Sequence, residues 1–293
     1  MLGTELALLL ESRGIKHIGT DREVDITDKE ALSSFAEKIN KIEKIDWIIN
    51  CAAYTAVDKA EDDSENCRLL NTEAAGNIAR QANKTGARLI HISTDYVFNG
   101  LGVKPYSEDD QTDPIGVYGL TKRNGELKIK EENPQSYIIR SAWLYGKYGN
   151  NFVNTMLRFM HEKESLSVVN DQRGSPTWTK DFAETLITLL HQTDKGDAIP
   201  YGIYNYTNEG EISWFDFARE IYVQSRELGL LEKDCEILPC SSAEFPAKVK
   251  RPAYSVLDKT KIKAALGIKI PAWDESLKEF LKSLYEMISV ESV

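Results

Sequence analysis

From residue 15 to about residue 145, short β-branched runs alternate with longer stretches in which apolar side chains recur every three or four positions. That alternation predicts βαβ units closing a parallel sheet. The candidate buried strands are Lys16–Thr20, Asp46–Ala52, Arg88–Ser93 and Ser136–Ala142. Helical periodicity covers Asp28–Asn40, Glu65–Thr85 and Tyr118–Glu132, each bounded by Gly, Asn or Pro. The apolar opening, Met1 to Leu10, is interrupted by Glu5, closed by Glu11 and preceded by no basic residue, so it predicts an amphipathic helix and not a signal peptide. Right-handed crossovers bring all strand carboxyl ends to one edge, where an open α/β sheet binds its ligands.

After Tyr145 the pattern loosens into helices over Asn151–Glu162, Lys180–His191 and Trp214–Leu228, strands at Leu166–Asn170 and Gly202–Tyr206, and a terminal helix near Asp274–Met287. The expected fold class is α/β: a doubly wound, Rossmann-like parallel sheet with a smaller α+β lobe. The expected division is a dinucleotide-binding part over residues 1–145, to which segments of 180–206 return, and a mainly substrate-binding lobe over 146–293.

Composition narrows the function. With 36 basic against 46 acidic residues the net charge is −10, so the overall field repels polyanions and argues against a nucleic-acid partner. No apolar stretch approaches the roughly 18 residues of a membrane span, and mean hydropathy is −0.39. Cys51, Cys67, Cys235 and Cys240 show no C-x-x-C spacing, and the four histidines no metal-ligand spacing. A cytoplasmic protein without structural zinc is expected.

Tyr118-Gly-Leu-Thr-Lys122 is the most informative short string, because residues four apart on a helix project side by side. An ammonium there is expected to favour the phenolate, lowering the tyrosine from its ordinary pKa of about 10 and making it a better proton donor. Upstream, the strand ending in Ser93-Thr94-Asp95 puts hydroxyls at a sheet carboxyl end, with Thr94 standing 24 residues before Tyr118.

Taken with their surroundings these strings carry a resemblance. STDYVFNG at 93–100, PYSEDD at 105–110 and YGLTK at 118–122 resemble the extended short-chain dehydrogenase/reductase superfamily. Together with NCAAYTAVDKAE at 50–61, RSAWLYGKYGNNFVNTML at 140–157, VVNDQRGSPTW at 168–178 and RPAYSVLD at 251–258, the chain is most similar to the dTDP-4-dehydrorhamnose reductases. The resemblance implies hydride transfer from NADPH or NADH to the C4 carbonyl of dTDP-4-dehydro-L-rhamnose, with Thr94, Tyr118 and Lys122 as the catalytic set.

On the cofactor side the resemblance points to Gly3, Asp21, Arg22, Asp25, Ile26, Ala53, Tyr54, Thr55 and Ser93, besides Tyr118 and Lys122. Asp21 suits free ribose hydroxyls and Arg22 a 2′-phosphate, which leaves NAD against NADP open. For the nucleotide sugar it points to Thr94, Asp95, Trp143, Asn151 and Arg251, with Asn150 and Arg173 as further diphosphate candidates.

One departure stands at the amino terminus. Met1-Leu2-Gly3 matches only the last glycine of the family's G-x-x-G-x-x-G, so the first strand reads as truncated, and a chain beginning upstream is expected. Some family members place magnesium at a dimer contact. Glu5 matches one such ligand position, but Lys180 occupies another, so no metal is carried over, while a homodimer stays open. Two rivals remain. One is a non-catalytic subunit like the regulatory chain of methionine adenosyltransferase; the other is a nucleotide-sugar epimerase or dehydratase, which keeps its cofactor through the cycle.

Overall fold

The computed structural model describes residues 1–245 and 247–291. Its centre is a four-stranded parallel sheet built from β1 (Trp47–Asn50), β2 (Arg88–Thr94), β3 (Ser136–Ser141) and β5 (Gly202–Asn205), in that spatial order. Register pairs Asn50 with His91, Thr94 with Ser141, and Arg140 with Asn205, so the carboxyl ends of all four strands share one edge. Every residue of β3 is buried, as expected of a strand covered by helices on both faces.

Helices α1 (Leu2–Ser12) and α6 (Thr179–Asp194) cover one face; Leu2, Leu6 and Leu10 pack with Phe182, Leu186 and Leu190 above Ile90 and Ile139. On the other face lie α2 (Lys29–Ile42), α3 (Ala74–Thr85) and α4 (Val117–Glu132), with Ile78, Ala82 and Ile129 over Leu89 and Ile138. Local chemistry sets their ends. Asp28 caps α2 by accepting from the amides of Glu30 and Ala31, and α3 stops at Gly86, whose φ of 70° suits a residue without a Cβ. The segment before α3 is helical from Ser64 and passes through a π-turn at Leu69–Glu73 that tips Asn71 inward.

A second core gathers Tyr145 with Val153, Met160, Phe217, Ile221, Leu277 and Phe280 from α5 (Phe152–Glu162), α7 (Trp214–Glu227) and α9 (Trp273–Glu291). Beside it β4 (Ser165–Val169) pairs in parallel with β6 (Glu236–Cys240). Sequence periodicity gave no sign of β6, because Pro239 interrupts a short, half-exposed edge strand. The short helix α8 (Thr260–Leu266) was also unforeseen; it returns Ile262 and Leu266 to the first core.

One expected strand is absent. Lys16–Thr20 forms no ladder, and all five residues are exposed, with Ile18 at 58%. A strand is stable only where a neighbour takes its hydrogen bonds and a core takes one face. Among the described residues no strand pairs with the outer side of β1, so 16–20 has neither.

Candidate active site

The site forms where β2 ends. Thr94 leaves the strand with extended backbone and caps the short turn Asp95–Val97: its Oγ1 accepts from the amide of Tyr96 at 3.2 Å and donates to Asp95 Oδ1 at 2.9 Å. Asp95 is 3% exposed and its Oδ2 has no partner among the described residues. Burial pushes this carboxyl up to about 6.

Helix α4 brings Tyr118 over that turn. The approach is close enough to require glycine at 119, where a Cβ would stand 2.1 Å from the Tyr96 carbonyl oxygen. The Tyr96 and Tyr118 rings meet edge to face, with centroids 5.4 Å apart. The Thr94 hydroxyl stands near the Tyr118 phenol and pulls it down, yet burial dominates and holds the phenol well above its ordinary value.

This corrects the expectation that Lys122 lowers the tyrosine. Lys122 is 2% exposed, and its Nζ is drawn to the strand, donating to the Ile92 carbonyl at 2.6 Å and lying 3.3 Å from His91 Nε2. Burial brings the ammonium down to about 8. One turn below, Glu126 accepts from Nε and Nη2 of Arg140, at 2.9 and 2.7 Å, in a pair whose side chains are each 3% exposed.

Of the cofactor candidates, Gly3 lies in the first turn of α1, where a Cβ would meet Cys51 Cβ at 3.4 Å. No side chain caps α1, so its first amides are free to meet an anion. Cys51 follows β1, and the Lys122 ammonium is near enough to pull its thiol down against burial. The start of α1, Cys51 and Lys122 therefore lie along one sheet edge, an arrangement that fits a dinucleotide.

Beyond Cys51, the loop carrying Ala53, Tyr54 and Thr55 is clamped by Asn71, which accepts from the Tyr54 amide at 2.8 Å and donates to its carbonyl at 3.0 Å. Asp21 and Arg22 are exposed neighbours on the loop after the unpaired segment. Asp25 accepts from both the amide and the hydroxyl of Thr27, and the Ile26 carbonyl accepts from Asn77. Ser93 departs from expectation: it donates its hydroxyl to Glu126 at 2.6 Å, so the buried ion pair consumes it.

The substrate candidates divide in the same way. Trp143 is half-buried and stacks on Trp214. Arg251 reaches Asp58 at 2.5 Å and lies close enough to Tyr96 to pull its phenol down against burial, which places its guanidinium at the rim of the Thr94 turn. Asn151 is engaged as the cap of α5: its Oδ1 accepts from the Asn154 amide at 3.1 Å and its Nδ2 donates to the Gly146 carbonyl at 2.7 Å, so its side chain is committed to the helix end. Arg173 pairs with Glu211, and Asn150 is exposed. Glu5 faces Lys180 and Lys147, and no group of three acidic, His or Cys side chains suited to a metal occurs among the described residues.

Sequence reasoning missed Asn50, His91, Tyr96 and Trp214. The first two lie on buried strands, where a polar residue inside an apolar run is itself a signal. Tyr96 sat inside a quoted motif. Trp214 carried no signal, because the stack joins positions 71 residues apart.

Comparison with known proteins gives a consistent result. The family described as RmlD substrate binding domain matches residues 1–286. A dTDP-4-dehydrorhamnose reductase of Aggregatibacter actinomycetemcomitans is 39% identical over 279 residues, covering 94% of each chain. Among solved structures, a dTDP-4-dehydrorhamnose reductase from Clostridium acetobutylicum superposes with a TM-score of 0.88 at 39% identity, over 97% of this chain and 95% of that one. The Bacillus anthracis enzyme of that name, in complex with NADP, gives 0.87 at 36% identity over 96% and 95%.

Proposed function

Because the chain belongs to the dTDP-4-dehydrorhamnose reductase family, we infer that it is a nicotinamide-dependent oxidoreductase of dTDP-rhamnose biosynthesis, reducing the C4 carbonyl of dTDP-4-dehydro-L-rhamnose. The observation that carries the assignment of roles is the meeting of Thr94 and Tyr118 at the sheet's carboxyl edge, with Lys122 one turn further along the same helix.

A bound reduced nicotinamide supplies the hydride. Tyr118 Oη delivers a proton to the substrate's C4 oxygen; a phenol raised by burial stays protonated at neutral pH and so remains a donor. Thr94 Oγ1, turning from Asp95, hydrogen-bonds the same oxygen and aligns it. Lys122 Nζ would hold the nicotinamide ribose hydroxyls, and the free amides of α1 would receive the pyrophosphate. Trp143, stacked on Trp214, offers its exposed edge to the sugar nucleotide, and Arg251 its guanidinium to the diphosphate. Asp21 suits the free ribose hydroxyls of NADH and Arg22 the 2′-phosphate of NADPH, so each cofactor is tested. No helix among the described residues is long and apolar enough to cross a membrane, and the reaction belongs in the cytoplasm.

The test follows reduced-nicotinamide absorbance when the purified chain receives dTDP-4-dehydro-L-rhamnose and each cofactor. One cofactor oxidised per dTDP-L-rhamnose formed is expected. Sugar turnover without net oxidation would instead identify an epimerase or dehydratase, and binding without turnover a regulatory subunit.

A further inference from the structure

The Thr94 hydroxyl carries one hydrogen, and two groups call for it. In this structure it donates to Asp95 Oδ1 at 2.9 Å, while its oxygen accepts from the Tyr96 amide at 3.2 Å. In the reaction inferred above, on which this inference rests, the C4 oxygen of the sugar needs the same hydrogen. We propose that Asp95 is a positioning residue that works as a carboxylic acid: when the nucleotide sugar binds, Asp95 takes up a proton from solvent, hydrogen-bonds through it to Thr94 Oγ1, and so turns the Thr94 hydrogen towards the substrate.

The count of donors and acceptors carries the argument. A hydroxyl oxygen has two lone pairs and one hydrogen. Once that hydrogen turns to the C4 oxygen, the Tyr96 amide fills one lone pair and the other faces Asp95 Oδ1. A carboxylate only accepts, so two bare acceptors would meet at hydrogen-bond distance where Thr94 and Asp95 are 5% and 3% exposed. The second carboxyl oxygen, Oδ2, has no partner among the described residues, so nothing there offsets the lost hydrogen bond. One added proton resolves the conflict, because a carboxylic acid donates to Thr94 and Thr94 then donates to the sugar. Tyr118 still supplies the proton that is transferred, and Asp95 keeps its own through the cycle.

The surroundings favour that proton. Burial pushes the Asp95 carboxyl up to about 6. Thr94 and the amides of Asp95 and Tyr96, from its own turn, and Ser255, from the segment after Arg251, draw it down by less than burial raises it. Tyr118 from α4 and Tyr96 also face it, and burial holds both phenols above their ordinary values, so they stay neutral. The guanidinium at the rim of this turn, Arg251, pairs with Asp58 instead.

The test compares the unaltered chain with Asp95→Asn and Asp95→Leu in kcat/KM for dTDP-4-dehydro-L-rhamnose across a range of pH. This constant reports the free enzyme, so the unaltered chain should lose about tenfold per pH unit above about pH 6. Asp95→Asn keeps a donor beside Thr94 at every pH and should show no such limb. Asp95→Leu donates nothing and should run about tenfold below Asp95→Asn throughout, the effect of one hydrogen bond. If it fails to fold, the Asp95→Asn profile still decides. Calorimetry in two buffers near neutrality, with oxidised cofactor present so that no hydride moves, should find about one more proton taken up per bound sugar nucleotide by the unaltered chain than by Asp95→Asn. A limb that survives in folded, active Asp95→Asn, or equal proton uptake by the two, overturns the proposal. An unaltered chain that binds this sugar nucleotide but oxidises no reduced cofactor overturns the assigned reaction, while proton uptake still judges Asp95; a chain that does not bind it overturns both.

Discussion

Trp143 lies flat on Trp214, with ring centroids 3.4 Å apart and planes 10° from parallel, while its backbone takes a φ of +48°. Such a conformation costs a bulky residue on the order of 1–3 kcal/mol and persists only where its surroundings impose it. Here Thr177 does so, donating its amide to the Trp143 carbonyl at 3.1 Å and its hydroxyl to the Ala142 carbonyl at 2.7 Å. Gly174 closes the remaining side, where a Cβ would stand 2.5 Å from the Trp143 ring. Gly174→Ala should therefore displace the indole, lower stability by about 1–3 kcal/mol, and raise KM for the nucleotide sugar more than it lowers kcat. Tryptophan fluorescence and steady-state kinetics check the two limbs together.

Tyr118→Phe removes one hydroxyl from a half-buried ring whose packing against Tyr96 is otherwise kept. The melting temperature should barely move, while kcat should fall by about 10² to 10⁴-fold, the usual contribution of a general acid. An unchanged kcat would remove Tyr118 from the mechanism.

Glu126 and Arg140 test how the floor of the site is held. Arg140→Met leaves a buried carboxylate facing only Ser93, and removing one partner of such a pair costs about 3–5 kcal/mol. The double variant Glu126→Leu, Arg140→Met should recover most of that loss, because it leaves no uncompensated charge. Urea denaturation of the unaltered protein, Arg140→Met, Glu126→Leu and the double variant measures the coupling.

Asp95 gives a pH dependence. Its folded carboxyl titrates at about 6, against an ordinary 3.8, so the folded state binds the proton more tightly than the unfolded chain. The stability that this proton brings is complete below about pH 3.8 and is lost as pH rises through about 6, amounting to about 3 kcal/mol. Asp95→Asn carries no such penalty. Its stability relative to the unaltered protein should climb between pH 4 and pH 7 and then level off, as denaturation at several pH values would show.

Periodicity and short-range chemistry settled most of this protein from the sequence alone. The strands of the central sheet from Trp47 onward, the helices between them, the helical pairing of Tyr118 with Lys122 and the position of Thr94 at a strand end all follow from patterns that repeat within a few residues. What depends on residues far apart was decided by the tertiary structure. Lys16–Thr20 has the composition of a strand but no neighbour to pair with. Asn151 and Ser93 lie in the expected motifs, yet a helix end and a buried ion pair use their polar atoms first. Lys122 stands one turn from Tyr118 but gives its hydrogen bond to the Ile92 carbonyl, because a buried amine takes the nearest acceptor, and here the strand supplies it. A hydrogen bond goes to whichever partner the fold brings within 3 Å or so, and sequence spacing fixes that partner only inside one helix or one turn.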